Sequence, residues 1–503
     1  HTFPHRVLAV CLPAGRGRLR AGEGSCVRHP PTTCACYNSP MSLRLYSSLT
    51  QRKEDFVPIS PDTVTMYTCG PTVYDYPTIG NYRTYTLGDL VHRVLLYDQY
   101  SVKFIMNLTD VGHLTGDNAG DADKGEDRLE IAAEREGKSA KEIANFYIAD
   151  FMKGYEKLGF LKPTKFTKAT EYVNEQINLV KKLEENGYTY KTSDGVYFDT
   201  AKYPQYGELS GLNAQNVLEG ARVAPNPEKK SPTDFALWMF SRSGEMRWQE
   251  WDSPWGRGWP GWHLECSAMI LAELGESIDI HVGGEDLRMI HHQNEIAQSE
   301  CATGKKFVNT WMHGAFLLVD GGRMGKSLGN AYTLSDVEDK GFTPQALRYF
   351  YLTAHYRTHL NFTWEALQSA QNAVKKLFDL VGAYQEDKNA PMSIEHIERF
   401  REFIDDDINM PKAVSVMWEM LKSEIPESSK IRTLLEMDRV LGLGVEDYVG
   451  FEIPKEIIDM AATRWQYKIS GIWDKADLMR REVLQKGYVI EDATNSYKVK
   501  RKL

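Results

Sequence analysis

The stretch from Thr63 to Met106 constrains the fold more than any other part of this chain. Thr63 to Thr68 alternates like a β-strand, and Gly70-Pro71 breaks it. Leu87, Leu90, Val91, Val94 and Leu95 then keep helical spacing, and Val102 to Met106 supplies the next strand. Strand, loop, helix and strand in that order make a βαβ crossover, the unit from which parallel sheets are built. Thr78-Ile79-Gly80-Asn81 lies where the loop runs into the helix. Free backbone N–H groups and the helix dipole make such a start favourable for phosphate. A further strand follows much later: Ile278, Ile280 and Val282 alternate and end in Gly283-Gly284-Glu285-Asp286.

A second group of residues points to a metal. His291 and Glu295 are spaced i, i+4 and share one face of a helix. Cys266 lies upstream and approaches separately. With one more cysteine these make a complete tetrahedral zinc set of thiolates, imidazole and carboxylate. Spacing alone does not enlist Cys69, since a cysteine at a strand end is commonly a small buried apolar group. The chain has seven cysteines, four of them in its first 40 residues. Three in the remaining 463 form no disulfide framework; they fit a reducing compartment, with metal binding or catalysis as their use.

Met66-Tyr67-Thr68-Cys69-Gly70-Pro71-Thr72-Val73-Tyr74-Asp75, Asn107-Leu108-Thr109-Asp110, Gly261-Trp262-His263-Leu264-Glu265-Cys266, the His291-His292 pair with Glu295, and Arg323-Met324-Gly325-Lys326-Ser327 together resemble the motifs of cysteinyl-tRNA synthetases. The resemblance runs from Met41 to the C-terminus. It implies an α/β fold: a class I synthetase Rossmann-like nucleotide-binding domain with an inserted connective segment, then an α-helical anticodon-binding domain. It also implies one zinc on Cys69, Cys266, His291 and Glu295. Thr78, Asn81 and Lys326 become the catalytic residues. Gly80, Gly283, Asp286, Arg323, Lys326 and Ser327 become the ATP site, and Gly70, Thr72, Thr109 and Trp262 the cysteine site. Trp473 and Asp477 are expected to read the anticodon. The implied substrates are ATP with Mg²⁺, L-cysteine and the cognate tRNA, handled by a monomer away from membranes. His281 and His292 are expected beside the metal, touching either its ligands or the substrate.

Two signatures depart from the family's usual form. Thr78 stands where the family has histidine, and Arg323 and Gly325 replace lysine and serine in the lysine loop. Thr and Asn donate hydrogen bonds without imidazolium charge, while Arg keeps the charge of Lys and changes its geometry. The Asp/Gly-rich run from 117 to 127 fails the spacing of a calcium loop and reads as solvated.

The expected boundaries are a leader over 1–40, a catalytic domain over 41–330 with its insertion at about 167–255, a stem-contact region over 331–385, and a helical anticodon domain with a small C-terminal appendage over 386–503. Residues 1–40 are basic, with five Arg against one Glu, and proline-rich. They read as non-native leader ahead of Met41, so the cytoplasm is expected; a transit peptide would make the compartment mitochondrial. The whole chain carries −9. Nucleic acid must therefore be met by local basic patches and not by the overall field. Six of the eleven tryptophans fall between Trp238 and Trp262, as packing at a junction or as a stacking platform for bases. Two alternatives share part of this pattern: the cysteine ligase of mycothiol synthesis, which lacks the long C-terminal region, and a non-catalytic zinc-stabilised RNA-binding protein.

Overall fold

A hairpin of β1 (Arg44–Ser47) and β2 (Arg52–Asp55) leads into β3 (Val64–Thr68), the strand about which the parallel sheet is arranged. The computed structural model describes residues 42–111, 126–211, 227–241, 249–325, 328–382, 384 and 387–501. Val64, Met66, Tyr67 and Thr68 are all buried, as expected of a strand covered on both faces.

After β3 the chain enters the helix Ile79–Tyr97. Thr78 starts it with a capping box, its hydroxyl accepting from the Asn81 backbone N–H while the Asn81 side chain accepts from that of Thr78. β4 (Val102–Leu108) returns parallel to β3. Helices Arg128–Glu136 and Ala140–Lys157 cross to β5 (Lys165–Lys168). The chain then leaves the sheet. Helix Val173–Glu185 and the antiparallel strands β6 (Thr189–Lys191), β7 (Gly195–Phe198), β8 (Phe235–Phe240) and β9 (Gly258–Pro260) form a second unit. Trp238 and Trp259 are buried in it, so these two tryptophans pack and are not free to stack on bases.

Helix Trp262–Glu273 brings the chain back to β10 (Ile278–Gly284), and helix His291–Thr303 leads to β11 (Val308–Gly314). The strand order is β11-β10-β3-β4-β5, all parallel. The chain moves outward from β3 to β5, then resumes on the other side at β10. The order therefore reverses between β3 and β10, and open parallel sheets bind ligands beyond the carboxyl ends of strands at such a point.

Next come β12 (Leu317–Val319), β13 (Gly322–Arg323) and β14 (Leu360–Phe362), a small sheet that carries Arg323. Helix Pro344–Leu352 starts at Thr343-Pro344 as its sequence predicts, with Thr343 capping the Ala346 N–H and proline in the first turn. Helices Trp364–Gly382, Ile394–Asp405, Met410–Lys422 and Glu427–Leu441 follow. A buried ion cluster ties them to the nucleotide unit. Asp89 accepts from Arg93 at 2.8 Å and Arg348 at 2.6 Å, and Arg348 donates to the Leu441 carbonyl at 2.6 Å.

The chain ends in a small unit of helices and a hairpin. Beyond helices Lys455–Ile469 and Trp473–Gln485, the basic tail is one strand of a hairpin, β15 (Tyr488–Asp492) with β16 (Tyr497–Arg501). Its lysines alternate with Tyr497 and Val499, which pack with Ile490 against Ile457 and Val483. The period of two was present in the sequence but hidden by the charge run. No helix among the described residues is long and apolar enough to cross a membrane.

Candidate functional site

Cys69 follows the last residue of β3, and the three other expected metal ligands come from helices flanking β10. Cys266 is on helix Trp262–Glu273; His291 and Glu295 are one turn apart on helix His291–Thr303. One ligand atom from each of the four lies within 4.8 Å of every other, and all four residues are buried. A second set shares Cys69 and Glu295 and adds His281 and His292.

Contacts around the first set orient its donors. His291 Nδ1 is 3.0 Å from His263 Nδ1, which leaves Nε2 turned to Glu295 Oε1 at 2.9 Å. That Glu295 oxygen makes no aligned hydrogen bond. His281 Nε2 holds the other Glu295 oxygen at 3.0 Å. Burial would raise the Glu295 carboxyl, but His281 and His291 outweigh it and hold it near about 2. The Cys69 thiol and His291 lower Cys266 to about 6 against its burial. Burial works against protonated His291, yet Glu295 and Cys266 raise it to about 10. A thiolate and a carboxylate are therefore ready at neutral pH. The donor set, its burial and its convergence fit a Zn²⁺ ion, and the partner on the far nitrogen of His291 is the usual way an imidazole ligand is held.

His292 lies under the sheet edge with Nε2 3.3 Å from Cys69 Sγ and Nδ1 2.8 Å from His313 Nε2; His313 in turn reaches Ser48 Oγ at 2.8 Å. Gly283 makes room for it, since a Cβ there would stand 2.4 Å from His292 Cε1. Trp262 stacks on His291 with centroids 4.5 Å apart. The Gly70 N–H donates to Asn107 Oδ1 at 2.8 Å, and Asn107 Nδ2 donates to Thr109 Oγ1 at 2.9 Å. Thr72 bridges to Thr109 across the strand ends. Of the four residues expected around cysteine, Trp262 meets the ligand His291 and Gly70 follows the ligand Cys69, while Asn107, an unforeseen brace, ties Gly70 to Thr109.

The residues expected at the nucleotide are held by local contacts. The Thr78 hydroxyl donates to Asn81 Oδ1 at 2.9 Å, so the cap uses both groups, while the exposed Asn81 amide nitrogen has no partner among the described residues. Met324 lies over Gly80, with Sδ 3.3 Å from where a Cβ would be. Asn330, also unforeseen, braces the loop by donating to the Arg323 carbonyl at 3.1 Å and accepting from the Gly325 N–H at 2.8 Å. Asp286 folds its carboxylate back over Gly284. Lys326, Ser327 and the acidic run from 117 to 125 lie outside the described residues. Trp473 and Asp477 are exposed one turn apart on helix Trp473–Gln485, away from this cluster in sequence.

Comparisons with known proteins bear on this arrangement. The profile of the tRNA synthetases class I (C) catalytic domain matches residues 55–372. A protein of Burkholderia lata described as cysteine–tRNA ligase 1 is 42% identical over 455 residues, covering 90% of this chain and 95% of its own length. The cysteine–tRNA ligase of Treponema denticola is 40% identical, covering 90% of this chain and 98% of its own. Among solved structures, Mycobacterium tuberculosis methionyl-tRNA synthetase with methionyl-adenylate matches 76% of this chain at a TM-score of 0.51 and 15% identity, a likeness of fold.

Proposed function

Because the chain belongs to the class I tRNA synthetase family, among the cysteine–tRNA ligases, we propose a division of labour among its residues for joining L-cysteine to tRNA at the expense of ATP. The observation that carries it is the convergence of four buried ligand atoms at the carboxyl ends of β3 and β10. Cys69, Cys266, His291 and Glu295 would hold Zn²⁺, which supplies a soft Lewis acid able to bind the substrate sulfur as thiolate and to prefer it over a serine hydroxyl. Ordinary contacts discriminate poorly between such close analogues.

In the first reaction a carboxylate oxygen of cysteine attacks the α-phosphorus of ATP, and pyrophosphate leaves. In the second a terminal ribose hydroxyl of tRNA attacks the acyl carbon, and AMP leaves. The protein positions the reactants and stabilises phosphate charge. Gly70, Thr72, Thr109 and Trp262 line the amino-acid pocket. Gly80, Gly283 and Asp286 border the nucleotide; Arg323 and Lys326 supply cations to the phosphates, with Mg²⁺ carried by ATP. Catalysis belongs to residues 41–330 with the insertion at about 167–255, stem contact to 331–385, and anticodon reading to 386–503 through Trp473 and Asp477.

The capping box separates two duties at the signature. Asn81→Asp keeps the acceptor that caps the helix but replaces the free amide donor with charge. Cysteine-dependent pyrophosphate exchange is expected to fall by about 10²–10³, with the melting temperature nearly unchanged. A fall in melting temperature matching the loss of exchange would instead make the residue structural.

Charging of bulk tRNA with labelled L-cysteine, ATP and Mg²⁺ tests the whole reading. Label on tRNA is the expected result. Cysteine-dependent pyrophosphate exchange without label on tRNA would place the acceptor elsewhere, and absence of both reactions from zinc-loaded protein would overturn the reading.

A further inference from the structure

Glu265 has no task in the scheme above, yet its position is an unusual one. The residue is 0% exposed, and neither carboxylate oxygen has a hydrogen-bond partner. A buried carboxylate left in that state is costly. It belongs to neither metal-ligand grouping. Trp262, Glu265 and Cys266 stand at i, i+3 and i+4 of one helix, so an aromatic wall, a carboxylate and a metal thiolate share a face.

The surroundings do not neutralise it. His291 is already engaged by Glu295 and His263. No Lys or Arg forms an ion pair with Glu265 among the described residues. What satisfies it must arrive with a ligand and must be a cationic hydrogen-bond donor. The phosphates of ATP are anionic, and the zinc set is complete without Glu265. The α-ammonium group of the amino acid remains: a cation with three donors, two bonds from the carbon that bears the sulfur.

We propose that Glu265 accepts the α-ammonium group of the substrate, so that the metal reads one end of cysteine and this carboxylate the other. The proposal rests on the synthetase reading above. It makes Glu265 a specificity-determining residue that requires a free amino group beside the thiol.

The test uses zinc-loaded Glu265→Gln and three thiols: L-cysteine, cysteamine, which keeps the ammonium and lacks the carboxylate, and 3-mercaptopropionate, which lacks the ammonium. Binding is measured by calorimetry, and KM for cysteine by pyrophosphate exchange. Cysteine and cysteamine are expected to weaken by about 10–100-fold, the worth of a charge-assisted hydrogen bond, while 3-mercaptopropionate changes by less than about threefold. Equal weakening of all three, no change in any, or loss of zinc from the variant would each overturn the proposal. Should Glu265→Gln fail to fold, Glu265→Asp, which keeps the charge one methylene short, is read by the same cysteamine to mercaptopropionate ratio. Calorimetry separates this proposal from its premise: wild-type protein without cysteine-dependent exchange overturns the synthetase reading, whereas the ligand ratio judges Glu265 by itself.

Discussion

Cys266→Ser is expected to lose its zinc and to lose cysteine-dependent pyrophosphate exchange by about 10³ or more, the effect of removing several kcal/mol of Lewis-acid stabilisation. Two overlapping donor sets make this prediction specific. Cys69 and Glu295 belong to both; Cys266 with His291 completes one, His281 with His292 the other. The first offers two sulfurs, one of them lowered to about 6 mainly by the Cys69 thiol and His291. The second offers one sulfur. Its His292 is tied through Nδ1 to His313, and its His281 Nε2 is already directed at Glu295 Oε2. Zinc favours the set richer in thiolate. Cys69→Ser should empty the site whichever set holds the ion, but Cys266→Ser should empty it only if the first set does. Cys301→Ser is the control: its thiol is buried outside both sets and is pushed up to about 12, chiefly by burial. It should retain metal and activity within a few-fold. Stoichiometric zinc in Cys266→Ser, measured by mass spectrometry, would assign the ion to His281 and His292.

What was legible in the sequence follows from how local each feature is. The helix Ile79–Tyr97 announces itself through apolar spacing and the Thr78–Asn81 cap, and Thr343-Pro344 fixes a helix start within one residue. His291 and Glu295 need only one helical turn to meet. Cys69 is different. Its partnership with Cys266 depends on β10 pairing with β3, a pairing between segments more than 200 residues apart that only the family resemblance anticipated. The chain from His292 through His313 to Ser48 spans three distant segments and left no local trace. Asn107 stood within a quoted motif without its bracing role, and Asn330 was silent, since an asparagine that braces a loop looks like any asparagine in one. The C-terminal appendage was expected without its hairpin form for another reason: the alternation of β16 was present, but three basic residues outweighed two apolar ones. Glu265 stood within a quoted motif, and only burial without a partner singles it out.

Gly70→Ala is expected to reduce cysteine activation by at least about 10²-fold while leaving zinc in place. The reason is distance. A Cβ on Gly70 would stand 1.9 Å from the carbonyl oxygen of Asn107, a backbone atom that no side-chain rotation can move aside. The Gly70 N–H also donates to the Asn107 side chain, so the strand end is held to β4 by the contact that the methyl group would break. Either β3 or β4 must yield. Overpacking of this kind costs about 1–3 kcal/mol of stability, and a displacement near 1 Å at a reacting centre costs about 10² in rate. Asn107 also bonds Thr109, so the shift passes to a second residue of the proposed amino-acid site. Three of the four metal ligands lie on separate helices, which is why zinc should survive. Gly314→Ala supplies the comparison at the end of β11, where the added carbon meets Leu87 at an ordinary 3.6 Å and should change little. The decisive measurement is pyrophosphate exchange against cysteine concentration in both variants. A rise in KM with zinc retained in Gly70→Ala alone supports the close approach of β3 to β4 as the device that shapes the pocket. Equal, small effects in the two variants would mean that the strand end is pliant and the pocket is shaped elsewhere.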